Sequence, residues 1–136
     1  MREVFVDTSG WVALKHKGDT FWQAATALHR SLLTAGAHYV TSNFVLDESY
    51  TLLLQRIGHH VAVELGEEIR ASRLVTVVHI STDWEEEAWL MFKRYADKAF
   101  SFTDCTSFIV MRHHRIREAF TNDHNFEQAG YQRLLT

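Results

Sequence analysis

The sequence predicts an α/β protein in which a mostly parallel sheet of about five strands lies between layers of helices. Short apolar runs alternate with longer helical stretches, and capping residues or glycines separate the two kinds of segment. Strands that alternate with helices pair in parallel, because each helix carries the chain back to the same end of the sheet. The length of 136 residues suits one domain spanning residues 1–136.

Five segments have the composition of strands. The first, residues 4–6, is apolar on both faces, which is typical of a buried strand, and the run at residues 74–80 is rich in β-branched residues. The predicted strands are 4–6, 38–41, 74–80, 119–121 and 132–135.

The segments between these strands carry the signals of helices. Gly18 breaks the first helix, Gly36 follows the second and Gly58 stops the third. Hydroxyl and acidic residues stand at the predicted helix starts. The predicted helices cover residues 8–14, 21–33, 43–57 and 60–72, a segment after the cap at 81–83, a segment after a cap at 101 or 103, and residues 125–129.

Composition excludes several classes of protein. No apolar stretch is long enough to span a membrane, so no membrane association is expected. No secretory signal is recognisable, and the single Cys105 cannot form an internal disulfide, which together favour the reducing cytoplasm. A net charge of −3 argues against a protein that coats nucleic acid, but two bound divalent cations would move that total to about +1.

Four carboxylates stand where a parallel sheet turns its strand ends toward one edge. Asp7 and Asp123 follow predicted strands, Asp104 begins a helix, and Glu48 lies one turn into another. Ligands of open parallel sheets bind beyond the carboxyl ends of the strands, so we expect these side chains to converge. Asp47 is only one step around the helix from Glu48, and spacing alone does not choose between the two.

Converging acids repel one another unless a cation lies between them. Carboxylate oxygens select hard ions such as Mg²⁺ or Mn²⁺, and one or two such ions can activate water and offset the charge that builds on a phosphodiester. The pattern therefore predicts a divalent-metal site whose chemistry suits hydrolysis of a phosphodiester.

Each acid also has an ordinary structural interpretation. Asp7 suits a helix N-cap, Asp104 the first turn of a helix, Asp123 a turn, and Glu48 an exposed helix face. Two other phosphate chemistries are disfavoured. An aspartyl-phosphate phosphatase would need a second acid where Ser9 stands, and a receiver domain would need an early acidic pair and a later lysine.

Basic residues cluster at 112–117. Arg112 and Arg115 are candidates for RNA binding, although a solvated helix end stabilised by the helix dipole explains the cluster equally well.

Four segments of the chain resemble the PIN domain, the metal-dependent ribonuclease fold found in VapC toxins of VapBC toxin–antitoxin pairs. The resemblance extends over essentially the whole chain. The segments are Val4-Phe5-Val6-Asp7-Thr8-Ser9, Thr41-Ser42 followed by Val45-Leu46-Asp47-Glu48, Ser101-Phe102-Thr103-Asp104-Cys105, and Phe120-Thr121-Asn122-Asp123-His124-Asn125-Phe126 followed by Gly130.

The resemblance implies a PIN-like three-layer α/β/α sandwich and a role for each matching residue. Its metal-binding, catalytic acids are Asp7, Glu48, Asp104 and Asp123, with Glu48 preferred to Asp47. Ser9, Thr8 and Thr121 are expected to support the site. His124 stands in the stretch where the family often has a basic residue, so it is a further candidate for RNA contact.

The resemblance also implies what the protein acts on and binds. It predicts a divalent-metal-dependent endoribonuclease that hydrolyses single-stranded or structured RNA, a small VapB-like antitoxin as partner, and a homodimer. The alternatives are a PIN-like binding module without catalysis and a free-standing RNA-processing nuclease that has no antitoxin.

Overall fold

A five-stranded parallel sheet with seven helices forms the molecule, as the sequence predicts. The structure, a computed structural model, describes all 136 residues. The strands are β1 Glu3–Val6, β2 His38–Ser42, β3 Val75–Val78, β4 Glu118–Phe120 and β5 Gln132–Arg133. The helices are α1 Thr8–Lys15, α2 Trp22–Thr34, α3 Asn43–Arg56, α4 His59–Ala71, α5 Thr82–Arg94, α6 Phe102–His114 and α7 Asn125–Gln128. None of these helices has the length and apolar character needed to cross a bilayer.

The strand order β3-β2-β1-β4-β5 places β1 at the centre. The chain first builds outward from β1 through β2 to β3, and then returns to the other side of β1 with β4 and β5. The order therefore changes direction between β1 and β4, where open parallel sheets form a crevice at the carboxyl ends of the strands. Asp7 and Thr121 immediately follow these two strands.

Helices cover both faces of the sheet. Val4, Phe5 and Val6 are all completely buried, and successive residues of a strand point to opposite faces. This explains why β1 is a continuous apolar run instead of an alternating one.

Both outer strands are shorter than the sequence predicts. In β3 the ladder ends with Val78 because its partner in the register is Ser42, the last residue of β2. In β5 Gln132 and Arg133 pair with Glu118 and Ala119, and the amides of Leu134 and Leu135 still donate to the carbonyls of Ala119 and Thr121. An edge strand has one neighbour, so the extent of that neighbour limits it, whatever its own composition favours.

A close approach of α1 to β4 fixes the geometry of the crevice. A Cβ at Gly10 would lie 2.3 Å from the carbonyl oxygen of Phe120, so only glycine allows α1 to pack this tightly. The same approach brings the Ser9 hydroxyl within 2.9 Å of the Thr121 hydroxyl.

Candidate metal centre

One cleft of about 630 Å³ contains all four predicted acids. It lies beyond the ends of β1 and β4, and its wall includes residues of α1, one face of α3 and the start of α6. The other predicted site residues on its lining are Thr8, Ser9 and His124. The sheet therefore brings together side chains that stand more than a hundred residues apart in the sequence.

Asp7 is held by a network of hydroxyl groups. Its Oδ2 accepts hydrogen bonds from Thr121 Oγ1 at 3.0 Å and Ser9 Oγ at 3.4 Å. The backbone amides of Asn122 and Asp123 donate in turn to the Ser9 and Thr121 hydroxyls, both at 3.0 Å. These contacts fix the orientation of the carboxylate, which is only 5% exposed.

The side chain of Thr8 links two helices. Its hydroxyl donates to the carbonyl of Val45 at 3.5 Å and so connects α1 to α3, the helix that carries Glu48. The Thr8 backbone amide, in contrast, donates toward the Asp7 carboxylate.

Asp104 combines a structural role with its place in the cleft. It forms a capping box at the start of α6, in which Ser101 Oγ accepts from the Asp104 amide and Asp104 Oδ2 accepts from the Ser101 amide, both at 3.0 Å. Asn125 Nδ2 also donates to Asp104 Oδ2 at 3.1 Å. The ordinary interpretation of Asp104 as a helix-start residue is thus correct, and the same residue lines the cleft.

The other two acids are more accessible. Asp123 Oδ1 accepts a hydrogen bond from the Asn125 amide at 2.9 Å, and the exposed His124 Nδ1 lies 3.9 Å from the same oxygen. Glu48 is partly buried on the cleft wall, whereas Asp47 is exposed and faces a neighbouring depression. The structure thus places Glu48, and not Asp47, with the other acids.

The four acids outnumber the basic side chains of the cleft, among which Arg56 is the only lysine or arginine. Burial and the nearby carboxylates of Asp104 and Asp123 together raise the pKa of Asp7 to about 7, against the opposing hydrogen bonds from Thr8 and Thr121. Burial also raises the pKa of Asp104, against the hydrogen bonds from Ser101 and Asn125. No lysine or arginine forms an ion pair with any of the four acids.

The donors of the cleft fit a hard divalent cation. They are carboxylate, amide and hydroxyl oxygens, and Asn125 Oδ1 is buried without a hydrogen-bond partner. No three acidic, histidine or cysteine side chains already stand close enough to enclose one ion. Asp104 Oδ2 accepts hydrogen bonds from Ser101 and Asn125, and Asp123 Oδ1 accepts one from the Asn125 amide.

Sequence reasoning missed several residues of the cleft. Arg56 is the only lysine or arginine on its lining, and Asp19 adds a fifth acid. Arg56 could have been found from spacing, because Glu48, Leu52 and Arg56 follow one another at intervals of four residues on one face of α3. Asp19 has no such signal: its Oδ1 accepts from the Phe21 amide at 2.8 Å, an ordinary turn contact.

Arg112 and Arg115, the other candidates for RNA binding, do not reach the cleft. They lie at the C-terminal end of α6, and Arg112 is eight residues from Asp104, about 12 Å along the helix axis. Arg112 Nη2 instead forms an ion pair with Glu87 at 2.6 Å.

Comparisons with known proteins agree with this geometry. A family model described as the PIN domain matches residues 4–131. Two proteins of Mycobacterium tuberculosis, from strains CDC 1551 / Oshkosh and ATCC 25618 / H37Rv, are both described as "23S rRNA-specific endonuclease VapC20". Each is 42% identical over 128 residues, which are 94% of this chain and 95% of the relative.

A solved structure is similar to this chain in fold. The crystal structure of M. tuberculosis VapC20, described as a sarcin-ricin loop cleaving toxin, has a TM-score of 0.85 and 40% sequence identity to this chain. The similarity covers 94% of this chain and 95% of that one.

Proposed function

Because this chain belongs to the PIN domain family, we propose that it is a divalent-metal-dependent endoribonuclease and the toxin of a VapBC-type pair. The observation that carries the proposal is the group of buried, unbalanced carboxylates around Asp7. The relatives named as endonucleases support hydrolysis of RNA, and the oxygen donors of the cleft support Mg²⁺ or Mn²⁺.

Asp7 and Asp104 are proposed to hold an ion directly, with Glu48 and Asp123 completing the ligand set in part through water. When bound, a divalent cation lowers the pKa of water, polarises a phosphoryl oxygen and offsets developing negative charge. Asp7 must be ionised for this role, although its own pKa of about 7 leaves it partly protonated near neutral pH in the absence of an ion.

The remaining residues of the cleft position the acids. Ser9 and Thr121 orient the Asp7 carboxylate, and Asn125 orients Asp104. Such supporting contacts fix a ligand's rotamer before an ion arrives, so less ordering is required on binding.

The substrate is proposed to be RNA, single-stranded or structured, and the protein is expected to act in the cytoplasm. Since the relatives are described as specific for 23S rRNA, the sarcin-ricin loop is the first RNA to test. A VapB-like antitoxin is proposed to cover the acidic cleft, where an arginine could pair with the carboxylates, and the toxin is proposed to be a homodimer.

The direct test is cleavage of RNA by purified protein with Mg²⁺ or Mn²⁺. Asp7→Asn should abolish cleavage, because it removes a negative charge from the ligand set at its most buried acid. Glu87→Gln is the matched control, since it removes a charge from an acid far from the cleft. Cleavage that persists in EDTA, or in Asp7→Asn, would reject the proposal.

A further inference from the structure

We propose that a groove running from the acidic cleft past Arg56 to Lys17 binds the backbone phosphates of the RNA beside the bond that is cut. This inference rests on the proposed ribonuclease function and names the residues that hold the substrate.

Arg56 connects two adjacent clefts. It lies on the lining of the acidic cleft and also of a second cleft of about 630 Å³, formed by the end of α1, the start of α2 and the facing ends of α3 and α4. The polar or aromatic residues that line the second cleft with Arg56 are Lys15, His16, Lys17, Trp22, His60 and Glu64. A bound polymer can therefore pass from one cleft to the other across the Arg56 side chain.

The positive charge of this groove is free to bind a ligand. Arg56 and Lys17 are exposed and form no ion pair with any carboxylate. Lys15, by contrast, pairs with both Glu64 and Glu68, so this lysine is unavailable to a ligand and the three side chains together carry a net negative charge. The arginines Arg2, Arg112 and Arg133 are each paired with a glutamate.

The arrangement suits RNA because its charges change sign along the groove. Unbalanced carboxylates repel a polyanion, so a strand that presents one phosphate to the acids needs cations for the neighbouring phosphates. The guanidinium of Arg56 can bind two phosphate oxygens at once. The ring of Trp22, partly exposed in the same cleft, offers a face on which a base can stack.

The test compares two double variants in the inactive Asp7→Asn protein, with binding of a fluorescent sarcin-ricin loop RNA followed by anisotropy at several salt concentrations. Arg56→Gln with Lys17→Gln should raise Kd about tenfold. The slope of log Kd against log salt concentration should become smaller by about 1.4, which is about 0.7 for each lost phosphate contact. The control is Arg70→Gln with Lys93→Gln. Like Arg56 and Lys17, these residues are exposed and form no ion pair, but neither lies on the two clefts.

Cleavage kinetics in the otherwise unmutated enzyme provide the second measurement. The Arg56 and Lys17 double variant should raise KM about tenfold and leave kcat within about twofold, since it weakens binding away from the reacting atoms. Equal effects in both double variants, or none in either, would overturn the inference while the ribonuclease proposal stands. An unmutated protein that cleaves no RNA with Mg²⁺ or Mn²⁺ would reject that proposal and this inference with it.

Discussion

The two ends of α6 carry opposite charges, and these charges differ in their burial and in their ion pairing. At the N-terminal end, Asp104 is 7% exposed and lies near Asp7 and Asp123, and no lysine or arginine forms an ion pair with any of the three. At the C-terminal end, Arg112 and His113 are exposed, and both bind Glu87. The acids Asp104 and Asp7 at one end are buried without a cationic partner, while the basic side chains at the other end are solvated and two of them share a carboxylate.

The difference separates a functional site from a stabilised helix terminus. A helix dipole favours acids at its start and bases at its end, so both groups satisfy the same local rule. Only the acidic group retains a repulsion that the fold does not relieve, and such a cost is maintained where a ligand offsets it. The pattern of charge along the sequence does not show which end is a functional site, but the pairing of charges in three dimensions does.

The largest expected effect comes from neutralising one acid at each end. Asp104→Asn should lower RNA cleavage by about a thousandfold or more, because a lost ligand removes several kcal/mol of charge stabilisation. The asparagine oxygen can still accept from the Ser101 amide, so the helix cap should survive. Glu87→Gln should leave cleavage within about twofold. Similar losses in both variants would contradict the contrast between the two ends.

An intermediate effect is expected from the hydroxyl that orients Asp7. Thr121→Val should reduce activity about 10- to 100-fold, the usual cost of removing a contact that supports a metal ligand. Thr106→Val is the control, since that hydroxyl is also buried but donates to the Thr103 carbonyl within α6. Rates and unfolding temperatures of both variants would be measured, and an equal loss of activity in Thr106→Val would contradict the assignment.

The smallest effect is expected at Arg112, in the basic C-terminal turn of α6. Arg112→Gln should change the free energy of unfolding by less than about 1 kcal/mol, because an exposed ion pair contributes little. RNA cleavage should not change. Chemical denaturation and cleavage rates would check this, and a clear rise in KM would restore Arg112 as an RNA contact.

Much of the fold follows from local pattern. The apolar run of residues 4–6 places Asp7 at the carboxyl edge of the sheet, and of the two predicted caps, Ser101 and Thr103, Ser101 is the one that begins α6. Both inferences depend only on residues adjacent in sequence. The lengths of β3 and β5 were harder to predict because an edge strand depends on its partner.

The candidate site was harder to predict where its geometry depends on contacts between residues that are far apart in the sequence. The pairing of Arg112 with Glu87 joins residues 25 positions apart, so the sequence left Arg112 open as an RNA contact. Spacing could not choose between Asp47 and Glu48, because the choice depends on which face of α3 meets the cleft. Asp19 lines the cleft from the loop between α1 and α2, and a loop has no hydrophobic periodicity from which its path could be predicted.

Thermal unfolding across pH, with and without Mg²⁺, tests the central claim most directly. Between about pH 4 and 7 folded Asp7 keeps a proton that the unfolded chain has lost, so metal-free stability should fall as pH rises through this range. Mg²⁺ should restore stability above pH 7, where the ionised acid can bind it, and have less effect at pH 5. Asp7→Asn should show a smaller fall with pH, greater metal-free stability at pH 8 and little response to Mg²⁺. The same response to pH and Mg²⁺ in both proteins would contradict the account.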